Sequence, residues 1–495
     1  QTDTEIIVNL IHYHYTQILS GSTGDLSGND SNTETYLLIR QAIQMTVQQL
    51  EGTWGLVVMS TLTPNILYCT RHGSPLLVAT DKKKAMISST VDGFCGQMNN
   101  YIVLQDRDLC LLTYSPDNDE ISFSSTQQYQ PTNCNLSLES LTPDPYDHWM
   151  LKEICEQPDS TLRSISMGGR LMMSDQVKLG GLETNREKLL ELDNIIILGC
   201  GTSYHAGLIG SYYFKELCQF NCVLLFDGAE FTVQDIPRKG KTGLLLLSQS
   251  GETKDLHRCL EISHLHDLIT IGVINVVDSM IAREVDCGCY LNAGREVAVA
   301  STKSFTSQVI LLSMIAIWFS QKHQCHHNKR RQYISDLRGL YLQIQEAIDY
   351  SQKVYPHFVP LFDQQPSLFL LGKGKSEAIA REGALKIKEV SYIHAEAYSG
   401  SSLKHGPFAL LQPNFPVILV APYDQHNVKM NNVFQEVSSR QATIIRITNN
   451  PQYNSYSTEE LLQKLIWKIP SNHTYGDLLS IIPLQFLLGH FKFSR

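Results

Sequence analysis

The chain has 495 residues, 43% of them hydrophobic and 18% charged, with a formal net charge of −9. That length fits about three domains of ~150 residues, and the apolar content requires packed cores rather than disorder. The negative balance excludes general nucleic-acid binding, which needs a basic face, and no uninterrupted apolar run reaches the ~18 residues of a membrane span.

The first residues, Gln1-Thr2-Asp3-Thr4-Glu5, lack the charged and apolar regions of a signal peptide. With no initiator Met, upstream residues are expected. Two helical patterns follow, one on Ile6, Ile7, Leu10, Ile11 and Ile18, the other on Leu37, Leu38, Ala42 and Val47. The Ser-, Gly- and Asn-rich stretch from Ser20 to Glu34 reads as a loop between them. Strand-like runs come next: Trp54–Met59, Asn65–Thr70, Pro75–Ala79, Tyr101–Leu104 and Leu109–Tyr114. Strands so closely spaced predict an antiparallel sheet, so residues 1–130 read as an α+β domain. Residues 115–145 read as a polar connector, and the linker spans 131–184.

From about residue 185 strands alternate with helices. Asn194–Leu198, Cys222–Phe226, Gly243–Leu247, Leu268–Ile274 and Cys287–Leu291 are strand candidates, and a long helix is predicted from Ser301 to Phe319. This is the pattern of a doubly wound parallel sheet with helices on both faces, over 185–325. After a connector at 320–355 the pattern restarts over 355–495, with strands at Ser367–Leu371, Val417–Ala421, Thr443–Thr448 and Leu465–Ile469. Both copies open alike: an apolar strand, then Gly199-Cys200-Gly201-Thr202-Ser203 or Gly372-Lys373-Gly374-Lys375-Ser376, then a helix. That is a weak internal repeat. The third glycine of a dinucleotide fingerprint is absent, with Tyr204 and Glu377 in its place, which favours phosphosugar over NAD binding.

Ser248-Gln249-Ser250-Gly251-Glu252-Thr253 puts three hydroxyls, an amide and a glycine between a strand and a helix N-terminus. Free N–H groups and the helix dipole favour an anion there, and hydroxyls without a Walker lysine point to a sugar phosphate. An ordinary helix cap would use the same residue types. Val299-Ala300-Ser301-Thr302-Lys303 is a second hydroxyl cluster, with Ser301 a candidate N-cap and ligand group. With Ser203 these loops would ring one pocket at the sheet's carboxyl edge. Glu382, Lys386 and Glu389 share one face of a helix. That face can move protons if it lines a cleft, or be a solvated ion-pair face. His405, in Leu403-Lys404-His405-Gly406-Pro407, can act as acid or base near neutral pH or serve structure alone. Cys287 with Cys289, and His323, Cys325, His326 and His327, lack a second ligand pair at zinc-finger spacing, so no metal is expected. The 12 cysteines are otherwise scattered, several (Cys69, Cys110, Cys222) inside apolar segments, as in a reduced, cytoplasmic protein.

Several stretches resemble the glutamine–fructose-6-phosphate aminotransferase family. They are Cys-Gly-Thr-Ser-Tyr-His-Ala-Gly at 200–207, Ser-Gln-Ser-Gly-Glu-Thr at 248–253, Val-Ala-Ser-Thr-Lys at 299–303, Glu-Gly-Ala-Leu-Lys-Ile-Lys-Glu at 382–389 and Leu-Lys-His-Gly-Pro at 403–407. Lys152-Glu153-Ile154-Cys155-Glu156-Gln157-Pro158 resembles the family's linker. The resemblance implies two sugar isomerase (SIS) domains after a partial class II glutaminase domain. It also implies transfer of glutamine's amide nitrogen to fructose 6-phosphate, giving glucosamine 6-phosphate for UDP-N-acetylglucosamine synthesis, with no cofactor. By motif position, Ser203, Ser248, Gln249, Ser250, Thr253, Val299 and Ser301 would hold the sugar phosphate and Asp3 the amino group of glutamine. Glu389 would be the isomerisation base, assisted by Lys386. His405 would help open the ring at the neighbouring subunit's site, so a homodimer is implied. The family's N-terminal Cys would lie before Gln1 and its tail lysine beyond Arg495. On that reading the polypeptide would not hydrolyse glutamine, and the alternative is an impaired SIS-domain relative binding sugar phosphate as a sensor or partner subunit. Ala298 replaces a family Gly, and Ser401-Ser402 replace Gly-Glu.

Overall fold

A computed structural model describes residues 2–21, 31–94, 96–134, 142–363 and 365–488. Its contacts separate two units, Gln1–Thr142 and Pro143–Arg495.

The first unit carries helices Asp3–Gly21 and Ser31–Gln49, and most of the loop expected at Ser20–Glu34 lies outside the described residues. Eight strands follow among the described residues: β1 (Trp54–Met59), β2 (Ile66–His72), β3 (Leu77–Thr80), β4 (Ala85–Ser88), β5 (Asn100–Val103), β6 (Leu109–Ser115), β7 (Glu120–Ser124) and β8 (Thr132–Asn133). They form two antiparallel sheets, ordered β1-β2-β6-β7 and β4-β3-β5-β8. The period of two sets the layers. In β2 and β6, Tyr68, Leu109 and Leu111 meet Ile39, Ile43 and Val47 of the helices. The alternate residues Cys69, Cys110 and Leu112 meet Val78 and Leu104 from the other sheet's side. The polar connector expected at 115–145 is corrected here, because it contributes β7 and β8. In β7 only Ile121 and Phe123 turn inward, between exposed Glu120, Ser122 and Ser124, so this edge strand has the polar composition of a loop.

The second unit holds two parallel five-stranded sheets. The first contains β9 (Asn194–Gly199), β10 (Cys222–Asp227), β11 (Thr242–Ser248), β12 (Ile269–Ile274) and β13 (Cys287–Tyr290), in the order β10-β9-β11-β12-β13. The second contains β14 (Ser367–Gly372), β15 (His394–Ser399), β16 (Pro416–Val420), β17 (Thr443–Thr448) and β18 (Ile466–Lys468), in the order β15-β14-β16-β17-β18. The two orders are the same, so the repeat seen in the opening motif extends through the topology. β9 and β11 are buried along their whole length, as strands covered on both faces must be.

Two expectations are corrected. β15, His-Ala-Glu-Ala-Tyr-Ser, is an additional strand at the sheet's edge, where no continuous apolar run is needed. The connector at 320–355 is mostly helical, as His327–Arg338 and Leu340–Phe358. The predicted long helix is Lys303–Lys322. It is long and apolar enough to cross a membrane by length and composition, yet 94% of that apolar window is buried inside the protein. It packs within one core that draws on both sheets.

Candidate functional site

β9 ends at Gly199 and the next helix, Thr202–Leu217, begins three residues later. Gly201 makes this turn at φ +54°, and Gly374 repeats it in the second copy at φ +64°. β11 lies beside β9 in parallel register, with Leu246 opposite Leu198. The chain leaves β9 towards β10 on one side of the sheet and leaves β11 towards β12 on the other. The carboxyl ends of β9 and β11 therefore flank the reversal in strand order, where open α/β sheets form a crevice for ligands.

Both hydroxyl-rich turns stand at this point. Ser203 follows β9, and its Oγ accepts a 2.9 Å bond from Gln308 Nε2 on the helix Lys303–Lys322. Ser248 closes β11 and accepts from the Gly251 N–H at 2.9 Å, with Thr253 Oγ1 3.0 Å away. Ser250 Oγ accepts from the Glu252 N–H at 3.1 Å, and half-buried Gln249 and Thr253 flank it. Thr253 precedes the helix Lys254–Leu265.

The expectation that Ser301 caps a helix is corrected. The helix starts at Lys303, and the Thr302 and Ser304 N–H groups donate to Glu296 Oε1 at 2.9 and 3.1 Å. Ser301 Oγ donates to the other oxygen of the same carboxylate at 2.9 Å. An ionised carboxylate is a stronger acceptor for these amides than a hydroxyl, and no sequence motif announced it. Val299 is 99% exposed.

The helix Lys375–Ser391 carries Glu382, Lys386 and Glu389 on one face. The pairing is not a solvated one. Glu382 and Lys386 side chains are 1% and 3% exposed, while Glu389 is 32% exposed. Lys386 Nζ lies 3.7 Å from Glu382 and 2.7 Å from Glu389. Glu382 also accepts from Thr202 Oγ1 at 3.0 Å and pairs with His205 Nδ1 at 2.7 Å. The charged helix face of one repeat is thus joined to the hydroxyl turn of the other. Spacing alone gave the shared face of Glu382 but not these partners across about 180 positions of chain. His405 stands exposed on the short turn Leu403–His405 and is not joined to Glu389 within this chain. Asp3 lies exposed in the first turn of its helix, in the first unit.

The linker motif supplies a further buried acid that the sequence did not single out. Glu153 Oε1 accepts the Val297 and Ala298 N–H groups at 2.5 and 3.1 Å, and Lys303 Nζ pairs with Glu156 at 2.6 Å. Burial pushes the Glu153 carboxyl up from 4.5 to about 7, with the nearby Glu296 charge adding to the rise against the two amides. A raised carboxyl binds its proton more tightly folded than unfolded. Its contribution is therefore full below the unfolded value and is lost as pH rises through about 7. The loss is of order 3 kcal/mol. Glu153→Gln, which keeps the acceptor oxygen, is expected to flatten stability between pH 5 and 8. Denaturant titrations of both proteins across that range check it, and parallel pH curves would count against it.

The SIS domain family matches residues 188–318 and 361–491. Proteins named glutamine–fructose-6-phosphate aminotransferase (isomerising) match the whole chain. The Chlorobaculum tepidum protein is 32% identical over 99% of this chain and 76% of its own length. The human protein numbered 2 is 30% identical over 100% and 77%. An Acanthamoeba polyphaga mimivirus relative named for the same activity is 40% identical over 100% and 76%. The solved C-terminal domain of glucosamine-fructose-6-phosphate aminotransferase from Francisella tularensis matches with TM-score 0.64 and 30% identity, over 70% of this chain and 96% of that one. Tagatose-6-phosphate ketose/aldose isomerase from Escherichia coli shares the fold, with TM-score 0.52 and 17% identity over 69% and 92%.

Proposed function

The chain belongs to the glutamine–fructose-6-phosphate aminotransferase (isomerising) family, and from that premise we propose that it binds fructose 6-phosphate at the carboxyl edge of β9 and β11. In this reading Ser203, Ser248, Gln249, Ser250 and Thr253 hold the phosphate and sugar hydroxyls, with Val299 and Ser301 at the rim. Glu389 takes the C1 proton of the open-chain sugar and the proton is returned at C2, while Lys386 orients it. His405 of a second copy in a homodimer assists ring opening, and Asp3 holds the amino group of the glutamine that supplies nitrogen. Glutamine gives up its amide nitrogen and leaves as glutamate, that nitrogen replaces the C2 oxygen of the sugar as an imine with loss of water, and the C1-to-C2 proton shift on the imine gives glucosamine 6-phosphate.

One observation carries the reading: two hydroxyl-rich turns stand on adjacent parallel strands where the strand order reverses. A phosphate there meets hydroxyl donors and the amide end of the helix Thr202–Leu217. Replacing Ser250 and Thr253 together by Ala is expected to weaken fructose 6-phosphate by about 1–3 kcal/mol, the scale for hydrogen bonds to a charged group. Calorimetry on the double variant decides it, and unchanged affinity would put the phosphate elsewhere.

A further inference from the structure

We infer that His205 is a positioning residue for the isomerisation, acting through Glu382 on the Lys386–Glu389 pair. The inference rests on the reading of Glu389 as the base. Four side chains form a continuous line: His205 Nδ1 to Glu382 at 2.7 Å, Glu382 to Lys386 Nζ at 3.7 Å, and Lys386 Nζ to Glu389 at 2.7 Å. Exposure rises along it only at the end, from a fully buried Glu382 to a Glu389 that reaches solvent. Thr202 Oγ1 donates to the second oxygen of Glu382, so both carboxylate oxygens are held from the helix Thr202–Leu217.

The physical consequence is a fixed acceptor for the lysine. A carboxylate buried without donors costs free energy and relocates. With His205 donating its Nδ1–H and Thr202 its hydroxyl, Glu382 is pinned and Lys386 is drawn between two carboxylates. That fixes where the Lys386 ammonium points, and through it which way the Glu389 carboxylate faces. The same helix start that presents Ser203 to the sugar phosphate therefore sets, through Thr202 and His205, the orientation of the base on the other repeat. Tyr204 lies edge-on to the His205 ring at 5.9 Å, which limits its rotation.

The test separates positioning from structure and from sugar binding. Fructose 6-phosphate is incubated with the full chain in D2O, and deuterium entry at C1 is followed by NMR; affinity is measured by calorimetry. His205→Ala is expected to lower the exchange rate at saturating sugar about tenfold, the kinetic equivalent of losing one charge-assisted hydrogen bond. Its affinity should stay within about twofold, since the ring does not enter the hydroxyl turns. His205→Asn places an N–H donor where Nδ1 stood and is expected to restore the rate to within about threefold of wild type. An unchanged rate in His205→Ala overturns the inference. So does failure of His205→Asn to recover while it melts at the wild-type temperature. A wild-type chain that does not bind fructose 6-phosphate would instead overturn the site reading on which the inference rests.

Discussion

Glu389→Gln is expected to lower proton exchange at C1 of fructose 6-phosphate by about 10²–10⁴-fold, the range for removing a positioned general base. The amide can still accept from Lys386 at the position the carboxylate holds 2.7 Å away, so the helix Lys375–Ser391 keeps its geometry. Lys386 also retains Glu382. What is lost is only the ability to take a proton. The sugar contacts assigned to Ser203 and the 248–253 turn lie on other elements, and affinity should therefore stay within about twofold. A large drop in rate at constant affinity is the expected pattern. Exchange that persists at the wild-type rate would remove Glu389 as the base, and a matching loss of affinity would make it a binding residue.

Much of this architecture was legible in the sequence because the signals are local. Ile195-Ile196-Ile197-Leu198 and Leu244–Leu247 are short apolar runs bounded by turn residues, which read as strands buried on both faces, and the glycine turns after β9 and β14 mark the repeat. What escaped was decided by tertiary partners. β15 is polar enough to look like loop, and only its pairing with β14 makes it a strand. The hydroxyl turns could be read as candidate ligands, but their meeting depends on β11 crossing to lie beside β9. Glu382 was visible as one of three charges on a helix face. Its burial and its partners Thr202 and His205 come from the packing of two repeats on each other, which no spacing within either repeat encodes. Glu153 and Glu296 are similar cases: each acts on backbone amides far along the chain or across a loop, and an isolated glutamate carries no mark of that.

Gly199→Ala is expected to lower fructose 6-phosphate affinity at least tenfold and to destabilise the fold by about 1–3 kcal/mol, the usual scale of overpacking. A Cβ at Gly199 would lie 2.8 Å from the Ser203 carbonyl carbon and 2.9 Å from the Tyr204 nitrogen. These are backbone atoms, so no rotamer change relieves the clash. The body of the helix Thr202–Leu217 has little room to retreat. Gly207 sits so close to its neighbours that an added Cβ would be 2.8 Å from Leu225, and one at Gly210 would be 2.7 Å from Leu312. The displacement therefore falls on the turn itself, which carries Thr202 and Ser203. Gly372→Ala is the matched control, because its Cβ would meet the Ser376 carbonyl oxygen at 2.2 Å in the second copy. It should destabilise at least as much while leaving sugar affinity within about twofold, since the assigned turns belong to the first sheet. Thermal melts and calorimetry on both variants separate the outcomes. Equal losses of affinity would mean that the effect is a general weakening of the fold, and full affinity in Gly199→Ala would move the sugar site away from this turn.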